Sequence, residues 1–496
     1  MSYNGSIAGS FRHHSDLLWL GLATLFLFFA NGQYIVFIAT WLAPVFLIRY
    51  LRSTGLLFGL VSALLVNIAV TIATWKGMIP VPGATILLVG TMIGVVSFTP
   101  YLFDRLFHLG KSGFLKTLIF PCAWVGFEYI NSLFNPYSSW GSLAYTQFES
   151  PLAFLQLASI TGIWGLTFFI TWFASLLNWA WEKRFSWEHT GKGIGFYLGM
   201  LLIVLLIGAS RLAFFAPEGP FVRIASIVSP FEWNLNQNVN NSKELSTLHK
   251  TSLAVQSELL NLSKQAALAD ADIVVWSEAA APIFEADEKA FVKKAGKLAE
   301  NLGVYLLISL YTRPAGYPNS PLENKVIFID SDGKVAFEYV KAKPVPGENA
   351  VPGTGQLKSV RTPFGTIASM ICFDMDFPVL VSQAGRNGVD LMLVPADDWS
   401  EINPIHTQMA ALRAIENGFS LVRPTKDGLT AAFDYQGRIA AAMDETKTEK
   451  RIMFADLPSK GGKTLYPHIG DLFAWICIAG LAVILLWDRV SKRRQK

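Results

Sequence analysis

The sequence predicts a multi-spanning α-helical membrane bundle of about eight spans that carries an external, layered α/β domain. Three observations predict it. Apolar residues make up 52% of the 496-residue chain and charged residues only 16%, a bias unlike that of a soluble protein. That bias is concentrated in the first 215 residues and the last thirty, with a more ordinary stretch between them. Within the middle stretch, short β-type runs alternate with segments of helical periodicity.

A bilayer-crossing helix needs about 20 mostly apolar residues. The runs that answer to this are 17–30, 34–48, 55–74, 83–102, 115–134, 155–181, 193–215 and 469–487, the first two being short. The first apolar run is followed by others, which reads as a multi-spanning chain rather than a cleaved leader. Basic residues then orient the bundle. With the N-terminus cytoplasmic, the inner segments hold Arg12, Arg49, Arg52, Arg105, Lys111, Lys116, Lys183, Arg184 and Lys192. They also hold Arg489, Lys492, Arg493, Arg494 and Lys496, while the short outer loops hold only Lys76. Fourteen against one is a strong asymmetry. The expected organisation is therefore a bundle over 1–215, an extracytoplasmic domain over 216–466, and a last span with a basic tail over 467–496. One carboxylate, Glu128, falls inside an apolar run, where an ionisable group faces an interior or a cavity, or snorkels to the interface.

The middle region has β-type runs at 222–228, 272–276, 305–310, 326–329, 335–339, 367–372, 391–394 and 421–423, with a turn at Asp332 and Gly333 that implies a hairpin. Helical periodicity covers 242–268, 288–302 and 404–417. Strands alternating with helices, with hairpins among them, argue for a layered α/β domain around a mixed sheet. The net charge of +4 is small, and Lys/Arg-rich runs are confined to the C-terminus, so nucleic acid is not an expected partner. Of three cysteines, Cys122 and Cys477 lie in apolar segments, so no disulfide framework is expected.

Cys372 ends the β run at 367–372, and a cysteine there is by itself an ordinary buried thiol. As a nucleophile it needs a base to make the thiolate and positive charge for a developing oxyanion. Glu278 follows the run at 272–276, and Lys341 follows the run at 335–339. The ends of strands are where open α/β sheets place their sites. Spacing alone leaves the three as separate surface charges or as a site.

The segments 276–280 around Glu278, 339–341 ending in Lys341, 346–348 ending in Glu348 and 371–378 starting at Cys372 resemble the nitrilase, or carbon–nitrogen hydrolase, superfamily. Its members carry Glu, Lys and Cys in this chain order. Within it, the segments 397–399, 406–416 and 423–430 are similar to those of the apolipoprotein N-acyltransferases, as are Trp124 with Glu128, Trp140 with Tyr145 and Gln147, and 464–471. The resemblance covers most of the chain and is weakest in the first hundred residues. It implies an αββα sandwich on the periplasmic side of a bacterial inner membrane. It also implies that Glu278 acts as base, Lys341 stabilises an oxyanion, Cys372 carries an acyl thioester, and Glu348 positions Lys341 or the incoming amine. A phospholipid would be the acyl donor and the N-terminal amine of a diacylglyceryl-cysteine lipoprotein the acceptor.

The chain departs from the family at several places. Phe373 and Asp374 replace a Tyr-Glu pair, Lys343 replaces a His, and Asn131 stands where an Arg is expected after Glu128. The segment from Lys341 to Glu348 is one residue short, and a site tryptophan corresponds to Trp233. His406 has no His or Cys neighbour at metal-ligand spacing, so neither a metal nor another cofactor is expected, and a monomer is. Two other readings stay open at this point. One is a membrane-tethered amidase in which water resolves the thioester. The other is a transporter or receptor, against which stands the single in-span carboxylate.

Overall fold

The computed structural model describes residues 4–81, 83–108, 113–217, 219–229 and 242–494. It divides into two compact units, Met1–Arg211 with Asp471–Lys496, and Leu212–Gly470.

The first unit is helical. Four of its helices, Leu56–Trp75, Thr85–Phe107, Ile163–Glu182 and Trp187–Phe214, are long and apolar enough to cross a membrane. The remaining apolar runs form Asn4–Ala30, Phe37–Ser53, Ile119–Phe134 and Leu472–Arg494. Two expected spans are shorter than the sequence pattern suggests. The run at 155–181 is broken at Gly162, whose φ of 64° no continuing helix adopts, so the regular helix starts at Ile163. The run at 115–134 opens with a 3-10 turn, leaving the 16 residues of Ile119–Phe134. The outward faces are apolar. Leu57, Phe58, Leu65, Leu88, Leu202, Ile203 and Leu206 are all exposed. A continuous apolar surface of this kind needs a lipid solvent rather than water. Inside, Arg52 forks onto Asp104 at 3.0 and 2.7 Å and also reaches Glu182 at 3.1 Å. Glu182 in turn bonds His108. The charges of this cluster are thus paired, as a low dielectric demands.

The second unit is built on two mixed sheets. Strands in chain order are β1 (Phe221–Ile227), β2 (Ile273–Trp276), β3 (Ala281–Phe284), β4 (Tyr305–Arg313), β5 (Glu323–Ile329), β6 (Val335–Val340), β7 (Ser359–Thr362) and β8 (Gly365–Ser369). They continue as β9 (Leu391–Leu393), β10 (Ala396–Asp397), β11 (Ser420–Arg423), β12 (Thr425–Lys426), β13 (Leu429–Phe433), β14 (Ile439–Asp444) and β15 (Ile452–Pro458). One sheet runs β15-β1-β2-β4-β5-β6, with β3 added alongside β4, and the other runs β14-β13-β11-β9-β8-β7. Each has a parallel trio at its centre, β1-β2-β4 or β8-β9-β11, flanked by antiparallel strands.

The apolar runs of the sequence are these trios, buried on both faces as parallel strands are. Helices Ser242–Leu268 and Glu285–Leu302 cover the first sheet, with Val255, Leu259, Phe291 and Ala295 against Ala225, Val274, Trp276 and Ile308. Tyr305 of that sheet meets Phe364 of the β7–β8 turn edge-on, and Tyr339 bonds Asp374 beyond β8. This is layered α/β packing.

Gly418 fixes how helix Ile405–Asn417 turns into β11. Its φ is +79°, and a Cβ there would sit 1.8 Å from the carbonyl oxygen of Gly462. Gly388 has a similar φ of +63° but open space around it. Gly388→Ala is therefore expected to cost only the backbone penalty, about 1 kcal/mol, and Gly418→Ala clearly more, about 3 kcal/mol. Thermal melts of the two variants in detergent check this; equal losses would refute the contact argument.

Candidate active site

The nucleophile candidate is set by backbone strain. β8 ends at Ser369, and Cys372 takes up a φ of 45° as it opens the turn Cys372–Asp376. A left-handed conformation in a residue with a Cβ costs about 1–2 kcal/mol and persists only where surroundings enforce it. Here the Cys372 amide donates to the Pro395 carbonyl at 2.9 Å. The Asp374 carboxylate accepts from Tyr339 Oη (2.9 Å) and from the amides of Ile371 (3.2 Å), Ala342 (3.4 Å) and Lys343 (2.8 Å). Asp374 thus clasps the turn to the end of β6. Burial pushes its carboxyl up to about 7.

Lys341, at the end of β6, is 2% exposed, and its ammonium lies 2.7 Å from Glu278 Oε1 and 2.9 Å from Glu348 Oε2. Asn324 on β5 donates to both carboxylates, at 2.7 and 3.0 Å. The Asp397 amide donates to Glu278 Oε2 at 3.1 Å and the Val345 amide to Glu348 at 2.9 Å. Burial works against the charge on Lys341, but Glu278 and Glu348 outweigh it and hold the ammonium well above its usual range. Burial likewise opposes Glu348, and Lys341 overcomes it and holds that carboxyl below its usual range. Glu278 is followed by Ala279 at a φ of 49°, a second strained turn at this site.

Cys372 is 3% exposed. Burial pushes its thiol well up, the Glu278 charge adds to this, and Lys341 opposes it. On its other flank Sγ lies 3.9 Å from the Asp397 carbonyl, 4.0 Å from Asp398 Oδ1 and 4.0 Å from Arg423 Nη2. Arg423 holds Asp398 with both terminal nitrogens, at 2.9 and 3.0 Å. His406 spans Asp398 (2.7 Å) and Asp376 (3.2 Å). Burial alone would lower the imidazole, but those two carboxylates raise it to about 9. Cys372, Asp398 and His406 offer three donor atoms within 4.8 Å of one another, a cluster the sequence spacing did not reveal. Asp398 is already engaged by the Arg423 fork and the His406 ring, so the donor set is that of an ion-pair network rather than an open metal centre.

The structure thus brings Glu278, Lys341, Glu348, Cys372 and Asp374 together in one unit. Phe373 is buried and meets Phe377 edge-on, and the Lys343 ammonium lies 4.9 Å from the centre of the same Phe377 ring. Trp233 lies outside the described residues. Glu128 belongs to the helical unit. Its carboxylate accepts from Trp124 Nε1, Ser142 Oγ, Leu143 N and Thr167 Oγ1 at 2.7 to 3.0 Å, so it is fully hydrogen-bonded rather than snorkelled. It lines a cavity of ≈ 510 Å³ in that unit, together with Asn131, Asn67 and Trp164. Sequence reasoning missed Asn324, the Asp397 amide and Asp398. Asn324 lies between Glu323 and Lys325, ahead of the apolar run at 326–329, so no sequence signal set it apart.

Residues 223–464 match the carbon-nitrogen hydrolase family, and residues 15–176 match the apolipoprotein N-acyltransferase N-terminal domain. Fold and matches together define a carbon–nitrogen hydrolase-type enzyme attached to an apolar helical unit. An apolipoprotein N-acyltransferase from Geobacter metallireducens is 29% identical over 423 residues, covering 79% of this chain and 78% of that protein. One from Bradyrhizobium diazoefficiens is 28% identical, covering 71% and 70%. An amidase crystal structure from Nesterenkonia sp. aligns with a TM-score of 0.39 at 18% identity, over 49% of this chain and 92% of that one. Over most of its length the chain is thus similar to the apolipoprotein N-acyltransferases, from which it has diverged.

Two outcomes test the electrostatics. Asp374→Ala removes the acceptor of four donors and is expected to cost about 3 kcal/mol, read as a lowered melting temperature. A loss under 1 kcal/mol would contradict the clasp. His406 binds its proton more tightly folded than unfolded, so its pairing stabilises fully below about 6.5 and is lost as pH rises through about 9. His406→Gln should therefore be less stable than the parent at pH 6, with the gap narrowing as pH rises from about 6.5 to about 9. A gap independent of pH would contradict a charged His406.

Proposed function

We propose that Cys372 is the acyl carrier of this N-acyltransferase, with Glu278 as its base and Lys341 as its oxyanion partner. The observation that carries the reading is the buried Lys341 ammonium between two carboxylates, beside a strained turn that presents a cysteine. Glu278 takes the Cys372 proton, and the thiolate attacks the ester carbonyl of a phospholipid. The oxyanion collapses with cleavage of the ester C–O bond. The lysophospholipid leaves with the proton from Glu278, and a thioester remains. The amine of a diacylglyceryl-cysteine lipoprotein then attacks, a C–N bond forms, and the C–S bond breaks. Glu278 takes the amine proton and returns it to sulfur. A compact ammonium suits both tetrahedral intermediates. Glu348 holds Lys341 in place through both steps.

The bundle is proposed to cross the inner membrane about eight times, counting its shorter apolar helices, with both termini cytoplasmic and Leu212–Gly470 outside. The distribution of basic residues supports this orientation. The apolar outward faces of the helices support burial in lipid. Shorter helices reach across by local bilayer thinning.

Purified enzyme incubated with phospholipid alone should carry one acyl group on the Cys372 peptide by mass spectrometry. Adding a diacylglyceryl-cysteine peptide should discharge it as an N-acyl amide. Cys372→Ser should show neither, and Glu278→Gln and Lys341→Met should each lower kcat by about 10²-fold or more. Full activity in Cys372→Ser would sink the mechanism. Release of free fatty acid with no amide would make the enzyme a hydrolase.

A further inference from the structure

Cys372 sits between two charged groups of residues, and the mechanism above uses only one. On one side stand Glu278, Lys341 and Glu348. On the other stand Arg423 of β11, Asp398 after β10, His406 of helix Ile405–Asn417, and Asp376 of the cysteine's own turn. Arg423 is completely buried, and one terminal nitrogen lies 4.0 Å from the sulfur. That nitrogen is not free to wander. The guanidinium is forked onto Asp398, and Nη1 also donates to Thr407 Oγ1 (2.7 Å) and Thr425 Oγ1 (3.0 Å). A structural ion pair would need only Asp398. The extra hydroxyl partners fix the plane of the guanidinium so that Nη2 faces Sγ.

From this arrangement we infer that Arg423 is a second cationic partner of the Cys372 thiolate, held in place by Asp398 and His406. The inference rests on Cys372 being the nucleophile. Glu348 stays charged against Lys341 even after Glu278 has taken the thiol proton, so part of the positive field that Lys341 offers the sulfur is consumed. A thiolate formed at 3% exposure has almost no water to stabilise it. Arg423 supplies what water cannot. Asp398 Oδ1, 4.0 Å from the same sulfur, acts in the opposite sense on the thiolate while anchoring the arginine. The two residues therefore have opposite effects on the thiol although they belong to one ion pair, and that separates this role from a structural one.

The test uses the full-length enzyme in detergent micelles and reads the rate of iodoacetamide alkylation at the Cys372 peptide from pH 6 to 10. Arg423→Gln should move the profile to higher pH, so that alkylation at pH 7.5 slows by about tenfold, the change that one unit of thiol pKa produces. Arg423→Lys should recover part of it. Asp398→Asn should shift the profile the other way and speed alkylation severalfold. If Arg423→Gln fails to melt cooperatively, Asp398→Asn and Arg423→Lys decide the matter. An unchanged profile in folded Arg423→Gln overturns the inference, and so does slowing in Asp398→Asn. The acyl-carrier reading fails separately, by absence of an acyl adduct on Cys372 in the parent enzyme.

Discussion

Burying the Lys341 ammonium at 2% exposure is the constraint from which the arrangement of the α/β unit follows. A lone ammonium in such a place would lose its proton or pull in water, and several kcal/mol of desolvation must be offset by partners at contact distance. Those partners come from separate strands. Glu278 follows β2, Asn324 lies in β5, and Glu348 lies in the loop beyond β6. The main chain joins in, with the Lys341 amide donating to the Asn324 carbonyl and the Gly353 amide to the Lys341 carbonyl. Displacing any one strand end leaves a buried charge uncompensated, so the registers of the sheet and the geometry of the site are fixed by the same bonds. A buried ion pair is weak evidence of stability but good evidence of a specified position.

The same economy explains the turns. Cys372 and Ala279 both adopt left-handed conformations without being glycine. Two strained residues at the ends of two neighbouring parallel trios are not explained by folding alone, since glycine would be less strained at either. At Cys372 the proposed role of the side chain accounts for the strain. At Ala279 the turn redirects the chain from β2 into β3, with its amide on Ser309, so that Glu278 points back at Lys341. Asp374 offsets part of the strain by accepting from both the cysteine turn and the residues just after Lys341. A rigidly placed cysteine is the result, held by the clasp rather than by its own rotamer preference, as the proposed nucleophile role would need.

Much of this was legible in the sequence, for a physical reason. The parallel trios are buried on both faces and read as unbroken apolar runs, and Glu278 and Cys372 follow such runs, whereas Lys341 follows the antiparallel edge strand β6. What was not legible depended on weaker or non-local signals. β13 and β14 are rich in alanine, at 431, 432 and 440–442, which has little β preference, and they pair only because the sheet is already there. The break at Gly162 needs a positive φ that a hydropathy run does not reveal. His406 looked isolated because its partners, Asp376 and Asp398, are 30 and 8 residues away and reach it only through the crossovers of the second sheet. Asn324 carried no pattern at all, lying between two charged residues just ahead of the apolar run at 326–329.

The two charged groups around Cys372 differ in a way that suits a site closed to water. With the thiol protonated, Glu278, Lys341 and Glu348 sum to one negative charge. Moving the proton from Cys372 to Glu278 turns sulfur negative and the carboxyl neutral, so the total does not change. Asp376, Asp398, His406 and Arg423 sum to zero and contribute a direction rather than a net charge. Nothing in the step requires a proton from solvent or a counterion. In a low dielectric, creating net charge is the expensive part, and relocating it between groups already in contact costs far less. That is the condition under which a buried thiol, pushed up by its surroundings, can still serve as a nucleophile toward a lipid ester.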